Sequence, residues 1–372
     1  MKVIVAMSGG VDSSVAAYLL KKQGHEVIGL SFELWDKRDL APSNVCCSVE
    51  TIALARAVAR ELGIEHHTVD VRDHFYRHVI EEFCESYVKG LTPNPCILCN
   101  KYIKFNFLLE KARELDAPMV ATGHYARIIK SSELGVRSSE LKKSDSLHDP
   151  RNLLLKGIDA RKDQSYVLYV MKQEELSQTL FPLGDMRKDD IRRIAGDIGL
   201  SNALRPESQE ICFVGDEGYA EFIRNFSPAA LQPGRLVDTS GKFLGEHKGI
   251  AFYTIGQRRG LGISSPDPYY VVDIDRECNR VVVGSREDVY RKTIKVNTLN
   301  WISIPPLSRP RTASAKIRST MKETPCRLVP ESDDHMLVTF DEPQWAPAPG
   351  QSAVFYENDI VLGGGIIGKR EA

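Results

Sequence analysis

Residues 8–14 read Ser-Gly-Gly-Val-Asp-Ser-Ser and follow a short apolar run, residues 2–7. That run is too short for the core of a signal peptide and ends in a glycine turn, so it predicts a buried first strand. Two glycines let a backbone approach an anion closely, and Ser13 and Ser14 would open the next helix, whose N-terminus favours phosphate. The alternative is a plain turn with a helix cap. We predict a phosphate site, with Asp12 placed to hold Mg²⁺ against the phosphate.

Strand and helix patterns alternate outward from this loop. Predicted strands cover residues 2–7, 26–32, 65–71 and 118–123, and predicted helices cover residues 12–23, 49–62, 73–89 and 101–115. The alternation predicts an α/β domain, in which a doubly wound parallel sheet has helices on both faces. Ligands of such sheets bind at the carboxyl ends of the strands, where the Ser-Gly-Gly turn and the pair Gly123-His124 fall.

The rest of the chain has a different pattern. Residues 131–149 are rich in Ser, Lys and Glu and predict an exposed insertion, while residues 164–200 return to helical spacing. Short β-rich runs follow from about residue 215, and those after about residue 293 have the spacing of a small barrel. We therefore predict three domains: residues 1–214, a β-rich central domain at 215–290 and a C-terminal β-barrel at 291–372.

The composition is that of a globular chain, with 42% hydrophobic and 27% charged residues and a net charge of −1. No apolar run reaches the roughly 18–20 residues that span a bilayer, so we expect a cytoplasmic protein without a membrane partner. Residues 291–330 hold nine Lys or Arg and one acid, whereas residues 331–372 hold eight acids and two bases. This contrast predicts either a phosphate-binding face or a solvated strand surface.

The chain of 372 residues has eight cysteines, and because we expect no secretion signal, they indicate reduced thiols, a metal site or catalysis. Residues 92–100, Thr-Pro-Asn-Pro-Cys-Ile-Leu-Cys-Asn, hold two of them in a loop that two prolines stiffen. Cys99 lies just before the helix predicted from Lys101, where the helix dipole and that lysine would favour a thiolate. The alternative is half of a zinc site, but the sequence has no second C-x-x-C. Cys212 stands in an apolar stretch and by itself indicates a buried small residue.

Residues 8–14 resemble the PP-loop of the ATP pyrophosphatases, which cleave ATP between the α- and β-phosphates and adenylate a substrate oxygen. With the cysteine segments at 92–100 and 205–214, the chain resembles the tRNA-specific 2-thiouridylases (MnmA/TrmU family) over nearly its whole length. Further matching stretches are residues 121–127, 162–166, 256–262 and 349–356. The resemblance implies an adenine nucleotide alpha hydrolase-like fold for the first domain. It also implies ATP-dependent 2-thiolation of the wobble uridine of tRNA.

The same resemblance assigns roles to individual residues. It implies that Cys99 is the nucleophile, that Cys212 carries a persulfide and that Asp12 belongs to catalysis. The implied ATP-binding residues are Ala6, Met7, Ser8, Gly9, Gly10, Val11, Asp12, Ser13, Phe32 and Gly123. The implied tRNA-binding residues are Asn94, Pro95 and Cys96 at the target base, with His124, Lys162, Asp163, Gln164, Arg318, Ser319 and Gln351. The implied partners are the tRNAs for Lys, Glu and Gln, and a sulfur donor such as a cysteine desulfurase or a sulfur relay protein.

One position departs from the family pattern. Many members have Asp where this chain has Cys96, and cysteine is a weaker proton-transfer group. Together with Cys99 and Cys212, Cys96 gives three thiolates, enough to hold a 4Fe–4S cluster with one open iron. The expected cofactors are therefore ATP and Mg²⁺, with a persulfide or a 4Fe–4S cluster as alternative sulfur carriers.

Two other functions remain open from the residues. A PP-loop synthetase acting on a small metabolite would explain residues 8–14 but not the paired cysteine segments. A non-catalytic nucleic-acid or metal-binding protein would not explain an intact Asp12-Ser13-Ser14. We interpret Cys46 and Cys47 as structural. His74 and His78 have helical spacing but no third ligand nearby, so we interpret them as solvated or packed histidines.

Overall fold

The structure is a computed structural model, and it describes residues 1–34, 49–133, 151–206, 211–214, 218–226 and 231–369. The predictions for Cys46, for Cys47 and for most of the insertion at 131–149 lie outside these residues. Across the described ranges, no helix is long and apolar enough to cross a membrane.

The N-terminal sheet is parallel throughout and confirms the predicted α/β architecture. Its strands, in spatial order, are β3 (Glu65–Asp70), β2 (Glu26–Glu33), β1 (Lys2–Ala6), β4 (Met119–Ala121) and β7 (Thr179–Leu180). Val3, Ile4 and Val5 of the central strand are fully buried, as expected for a parallel strand covered on both faces. The strand order reverses between β1 and β4, and ligands of open α/β sheets bind at such a point.

The helices lie mostly in this N-terminal part of the chain. In chain order they are α1 (Val11–Lys22), α2 (Val49–Glu61), α3 (Arg72–Phe75), α4 (Glu82–Val88), α5 (Pro95–Cys99), α6 (Phe105–Glu114), α7 (Ser165–Leu168), α8 (Gln173–Ser177), α9 (Lys188–Asp197) and α10 (Tyr219–Phe226). π-helical segments at Tyr76–Glu81 and Asn100–Lys104 join α3 to α4 and α5 to α6. Single 3₁₀ turns lie at Ser131–Glu133, Ile250–Phe252 and Glu287–Val289.

The helix predicted from Lys101 in fact begins at Pro95. Asn94 caps it, because its side-chain oxygen accepts a hydrogen bond from the Cys96 N–H at 3.1 Å. Proline suits the first helical position, where its fixed φ is already helical and no N–H is needed. Cys99 therefore lies inside a helical run rather than ahead of one, and the placement argued from the sequence was wrong.

The helical spacing predicted over 164–200 corresponds to three helices, α7, α8 and α9, and the short strand β7 separates α8 from α9. One domain prediction needs correction. The β-rich central domain predicted from residue 215 opens with a helix, α10. Ile223 of α10 is fully buried in the core of the N-terminal domain, beside Phe83 and Phe213.

The C-terminal residues form a closed barrel, as predicted. The strands are β12 (Tyr290–Trp301), β13 (Arg311–Lys316), β14 (Thr324–Pro330), β15 (His335–Trp345), β16 (Ser352–Glu357) and β17 (Ile360–Ile367). Antiparallel pairs run in the order β12, β15, β14, β13, β16, β17, and β17 returns to β12 to close the ring. Val338, Phe340 and Phe355 lie in its core.

A hairpin from the N-terminal part of the chain extends this barrel. Its strands, β5 (Ala126–Lys130) and β6 (Asn152–Lys156), pair with each other, and Leu155 pairs with Ile360 of β17. Leu153 and Leu155 are buried in the barrel core. These residues were assigned from sequence to the first domain, yet they pack with the last one.

A four-stranded sheet lies between the two larger units in sequence. Its strands are β8 (Gly234–Asp238), β9 (Phe243–His247), β10 (Tyr270–Asp275) and β11 (Arg280–Gly284), in the spatial order β10, β11, β8, β9. Its buried face packs against Ala346 and Ala348, which follow β15, so this sheet is joined to the barrel by apolar contact.

Candidate active site

A cavity of about 1540 Å³ extends from the carboxyl edge of the N-terminal sheet to the C-terminal barrel. The residues predicted from the sequence line this cavity, except for Gly9, Asn94, Arg318 and Gln351. Those four do not line it. One space thus contains the glycine loop, both predicted reactive cysteines and side chains of the barrel.

The glycine loop is shaped by close backbone approaches. Gly9 has φ +74°, and a Cβ there would lie 2.4 Å from the carbonyl oxygen of Thr51. Gly123 presses against the start of α1, where a Cβ would lie 2.8 Å from the Ser13 nitrogen. Side chains at either position would displace the loop, so both glycines are required by space.

Hydrogen bonds then fix the loop. The Ser8 N–H donates to Ser13 Oγ at 3.2 Å, and Ser13 Oγ donates to the Gly10 carbonyl at 3.0 Å. The buried Asn202 amide donates to the Gly9 carbonyl at 3.0 Å and to Ser14 Oγ at 2.9 Å. The loop is therefore preformed beside the N-terminus of α1, as an anion site needs. Nothing in the sequence around Asn202 indicated this role.

Asp12 is held by two groups that the sequence analysis did not identify. Lys188 Nζ lies 2.7 and 2.8 Å from the two carboxylate oxygens, and the Tyr125 hydroxyl donates to one of them at 2.6 Å. Lys188 is 5% exposed, and its backbone N–H donates to the Asp159 carboxylate at 3.1 Å. The motif has no lysine of its own, so a residue 176 positions away supplies the cation.

The three candidate cysteines differ in exposure. Cys96 is exposed in the first turn of α5, Cys99 is buried at its end, and Cys212 is half-buried. Cys99 and Cys212 pack on the same apolar cluster and line the same cavity. The fold therefore brings together two thiols that are far apart in sequence.

Phe213 anchors the segment that carries Cys212. Its ring is 1% exposed and packs edge-on against Phe75 at 5.8 Å and Phe83 at 5.2 Å, with Phe222 at 5.3 Å. Aromatic pairs at these distances stabilise the packing of a segment beyond what their buried apolar area contributes. Phe213 is thus buried in the core, while the adjacent Cys212 lines the cavity.

The three candidate cysteines line one cavity but are not gathered as a metal site in this structure. Among the described residues, no group of three or more His, Cys, Asp or Glu side chains could hold a metal ion. Cys96, Cys99 and Cys212 share a cavity without forming such a group. His74 and His78 stack on each other, His78 also stacks on Tyr102, and His74 packs edge-on against Phe107, as packed histidines do.

His124 lies in the cavity wall as a neutral ring. Burial lowers the pKa of His124 well below its usual range, and the nearby Lys104 ammonium lowers it further. Its Nδ1 lies 2.7 Å from the Thr122 hydroxyl, and its ring stacks on Phe105 at 6.1 Å. It can offer a substrate a hydrogen bond but not a positive charge.

The predicted substrate residues 162–164 form a turn that the barrel holds. Asp163 accepts hydrogen bonds from the Ser165 hydroxyl at 3.0 Å and from Lys316 Nζ at 3.1 Å. Gln164 exchanges two hydrogen bonds with the Tyr125 backbone, at 2.9 and 3.0 Å. Asp163 therefore shapes the turn, and its carboxylate is used internally.

Arg318 and Gln351 have partners within the protein. The Arg318 guanidinium donates to the carbonyls of Ala346 at 2.9 Å and Ile255 at 3.3 Å. Gln351 Nε2 donates to the carbonyls of Thr92 at 2.9 Å and Pro93 at 3.4 Å. As the structure has them, both side chains hold backbone in place.

The wall on the barrel side is rich in cations. Glu323 pairs with Lys156 and lies 4.0 Å from Lys316. Burial opposes ionisation of Glu323, but these ammonium groups outweigh it, so the pKa of Glu323 lies below its usual value. The cationic residues that line the cavity are Lys104, Arg127, Lys156, Arg161, Lys162, Lys188, Arg192, Arg205, Lys316 and Lys322. Lys316 and Lys322 come from the basic stretch recognised in the sequence.

Comparison with known proteins matches all three parts of the chain to family models. These are a tRNA methyl transferase HUP domain at residues 1–216, a tRNA methyl transferase PRC-barrel domain at 220–285 and an aminomethyltransferase beta-barrel domain at 291–367.

Full-length relatives are similar throughout. A tRNA-specific 2-thiouridylase of Symbiobacterium thermophilum is 46% identical over 98% of this chain and 92% of its own. Similar enzymes of Caldanaerobacter subterraneus and Clostridioides difficile are 48% and 45% identical, each over 99% of this chain and 98% of their own.

Proposed function

This chain belongs to the tRNA-specific 2-thiouridylase family, and we propose that it uses ATP to exchange the C2 oxygen of a tRNA uridine for sulfur. The observation that carries the proposal is the single cavity lined by the glycine loop, by Cys99 and Cys212, and by the cations of the barrel. A synthetase for a small metabolite would need the first feature but neither of the others.

ATP fits the glycine-loop end of the cavity. Phosphates would lie against the loop residues that line the cavity at the N-terminus of α1, and Phe32 would line the adenine side. The uridine O2 attacks the α-phosphorus, and pyrophosphate leaves. This step turns a poor leaving oxygen into a phosphate ester.

Lys188 and Asp12 give this end of the cavity both charges. Lys188 would offset the negative charge that develops on the departing pyrophosphate, as preorganised cations do in phosphoryl transfer. Mg²⁺ would supply further neutralisation when bound, and Asp12 is the carboxylate beside the glycine loop that would hold it. Asp12 would then share its oxygens between the ion, Lys188 and Tyr125.

Sulfur transfer follows at the two cysteines. The outer sulfur of a Cys212 persulfide attacks uracil C2, and AMP leaves with the former oxygen. The Cys99 thiolate then attacks Cys212 Sγ and breaks the S–S bond, whose electrons stay on the sulfur bound to C2. The products are 2-thiouridine and a Cys99–Cys212 disulfide, which a thiol reductant resets.

The partners follow from this chemistry and from the family. We propose as substrates the wobble uridines of the tRNAs for Lys, Glu and Gln, bound along the cationic wall. A cysteine desulfurase or a sulfur relay protein would load Cys212. We propose that the enzyme acts with these partners in the cytoplasm.

Pyrophosphate release measured with different acceptors tests the proposal. Unmodified tRNA should stimulate release, and tRNA that is already 2-thiolated should not, because its C2 carries no oxygen to adenylate. Release that needs no tRNA, or that a small amide or acid stimulates instead, would favour a metabolite synthetase.

A further inference from the structure

A turn of the C-terminal barrel touches the loop that leads into the Cys99 helix. We name these the barrel turn, residues 349–351, and the cysteine loop, residues 92–94. The Thr92 N–H donates to the Pro349 carbonyl at 2.7 Å, and Gln351 Nε2 returns bonds to the Thr92 and Pro93 carbonyls. Residues more than 250 positions apart are thus bonded in both directions.

The fit between the two segments is tight. Gly350 has φ +90°, and a Cβ there would lie 2.9 Å from both Leu91 Cβ and the Thr92 nitrogen. The barrel turn is itself fixed to β17 by two backbone hydrogen bonds. The Gly350 N–H donates to the Ile367 carbonyl at 2.9 Å, and the Ile367 N–H donates to the Gln351 carbonyl at 2.8 Å. A rigid barrel edge therefore bears on the loop.

The cysteine loop depends on such outside partners. Pro93 and Pro95 have no N–H, so this segment cannot form a regular set of backbone hydrogen bonds. The Asn94 side-chain oxygen caps α5, where it accepts a hydrogen bond from the Cys96 N–H. The Thr92 and Pro93 carbonyls therefore take their donor from Gln351, and the direction in which α5 starts depends on the barrel turn.

We propose that Gln351 is a positioning residue that sets the cysteine loop, and through it the orientation of Cys99, before any tRNA binds. The inference rests on the proposed role of Cys99. It differs from direct tRNA contact, the role that family resemblance implies for Gln351, because the amide N–H groups are directed at protein carbonyls and Gln351 does not line the cavity.

Gln351→Met tests this, since it keeps the volume and removes the donor. The matched control is Gln344→Met, because Gln344 is a buried glutamine of the same barrel whose bonds to Glu342 and Thr324 stay within it. In tRNA-free protein, Gln351→Met should speed amide exchange of the peptide that contains Thr92 and Cys96, and should speed alkylation of Cys99, which the native fold buries. The control should change neither rate.

Kinetics separate positioning from substrate contact. Gln351→Met should lower kcat for thiolation by roughly 10- to 100-fold, the cost of a small misplacement of a reacting group, and should leave KM for tRNA nearly unchanged. Gly350→Ala, which pushes a methyl group into the cysteine loop, should raise the same exchange and alkylation rates.

Native exchange and alkylation rates in both variants would overturn the proposal. If Gln351→Met lost tRNA affinity while its exchange and alkylation rates stayed native, Gln351 would act on tRNA instead. If the wild-type protein thiolates no tRNA, the proposed function fails. The exchange and alkylation rates still decide whether Gln351 positions the loop, because they are measured without tRNA.

Discussion

At the scale of single residues, the ion pair between Lys188 and Asp12 is the contact that matters most for the ATP step. Lys188→Met should lower the rate of pyrophosphate release by about 10²- to 10³-fold, since a preorganised charge at the phosphates is lost. ATP affinity should fall more than AMP affinity, because AMP lacks the pyrophosphate that the lysine faces.

Arg193→Gln is the matched control for that change. Arg193 lies on the same helix and pairs with Asp190 on the protein surface, with its side chain 70% exposed. The Arg193→Gln substitution should leave pyrophosphate release and the affinities for ATP and AMP unchanged. If Lys188→Met turned over at the wild-type rate, or weakened ATP and AMP equally, Lys188 would only support the fold.

The three cysteines give a second residue-scale prediction. Cys99→Ser and Cys212→Ser should each stop thiolation, since the relay needs both sulfurs. Cys96→Ser should keep most of the activity, because Cys96 is exposed and the described donors do not gather around it as a metal site. The measurement is thiouridine formed per enzyme, with protein purified without oxygen. A brown protein that any of the three substitutions bleaches and inactivates would establish a cluster mechanism.

Residue identity could be predicted from the sequence where a short motif carries it. Residues 8–14 identified the loop before α1, and residues 92–100 and 205–214 identified the cysteines that line the cavity. Lys188 and Asn202 were missed because each acts across more than 170 positions, and neither stands in a local pattern that differs from an ordinary helix or turn. Only the folded backbone brings them to Asp12 and Gly9.

At the scale of elements, the basic stretch at 291–330 divides into two kinds of residue. Arg318 donates to two carbonyls and is half-buried, whereas Lys322 is exposed at the cavity. Arg318→Met should lower the free energy of unfolding by about 1–3 kcal/mol, as expected when a charged donor to backbone is lost. Lys322→Ala should leave that free energy nearly unchanged.

The salt dependence of tRNA affinity should show the opposite order. Lys322→Ala should reduce the slope of log affinity against log salt by roughly one unit, because one phosphate contact is lost. Arg318→Met should keep the slope. The result that would contradict this assignment is a native slope in Lys322→Ala together with a reduced slope in Arg318→Met.

Element boundaries were predictable where apolar period and end signals agreed. The strands predicted at residues 26–32 and 65–71 begin at the observed starts of β2 and β3, Glu26 and Glu65. The start of α5 was missed because two prolines looked like a loop, although proline at the first helical position after an Asn cap is a helix start. Had Asn94 been taken as the cap and Pro95 as the first helical residue, the sequence would have predicted Cys99 within the helix.

At the scale of the whole molecule, the hairpin β5–β6 ties the N-terminal unit to the barrel. A chain that ends at residue 290 would expose Leu153 and Leu155, which the barrel core buries. We therefore expect this truncated chain to unfold at a lower temperature than the full chain, or to aggregate. Calorimetry and light scattering measure this, and a truncated chain with the native unfolding temperature would show that the units are independent.

The order of the units was predictable from the sequence, but the contacts between them were not. Apolar period identifies a strand without identifying its pairing partner, so residues 152–156 were assigned to the first domain, with which they are contiguous in sequence. The register with β17 depends on side chains about 200 positions away. The same limit hid the contact of Gln351 with the cysteine loop.

The most direct test of the central claim is nucleoside mass analysis of a purified reaction. The protein, ATP, Mg²⁺, a sulfur donor and unmodified tRNA are incubated, and the tRNA is digested. We predict a wobble uridine that has exchanged one oxygen for sulfur, in amounts that match the pyrophosphate released and that disappear in Cys99→Ser. Pyrophosphate released with no thiouridine, or thiouridine formed equally well by Cys99→Ser, would contradict the account.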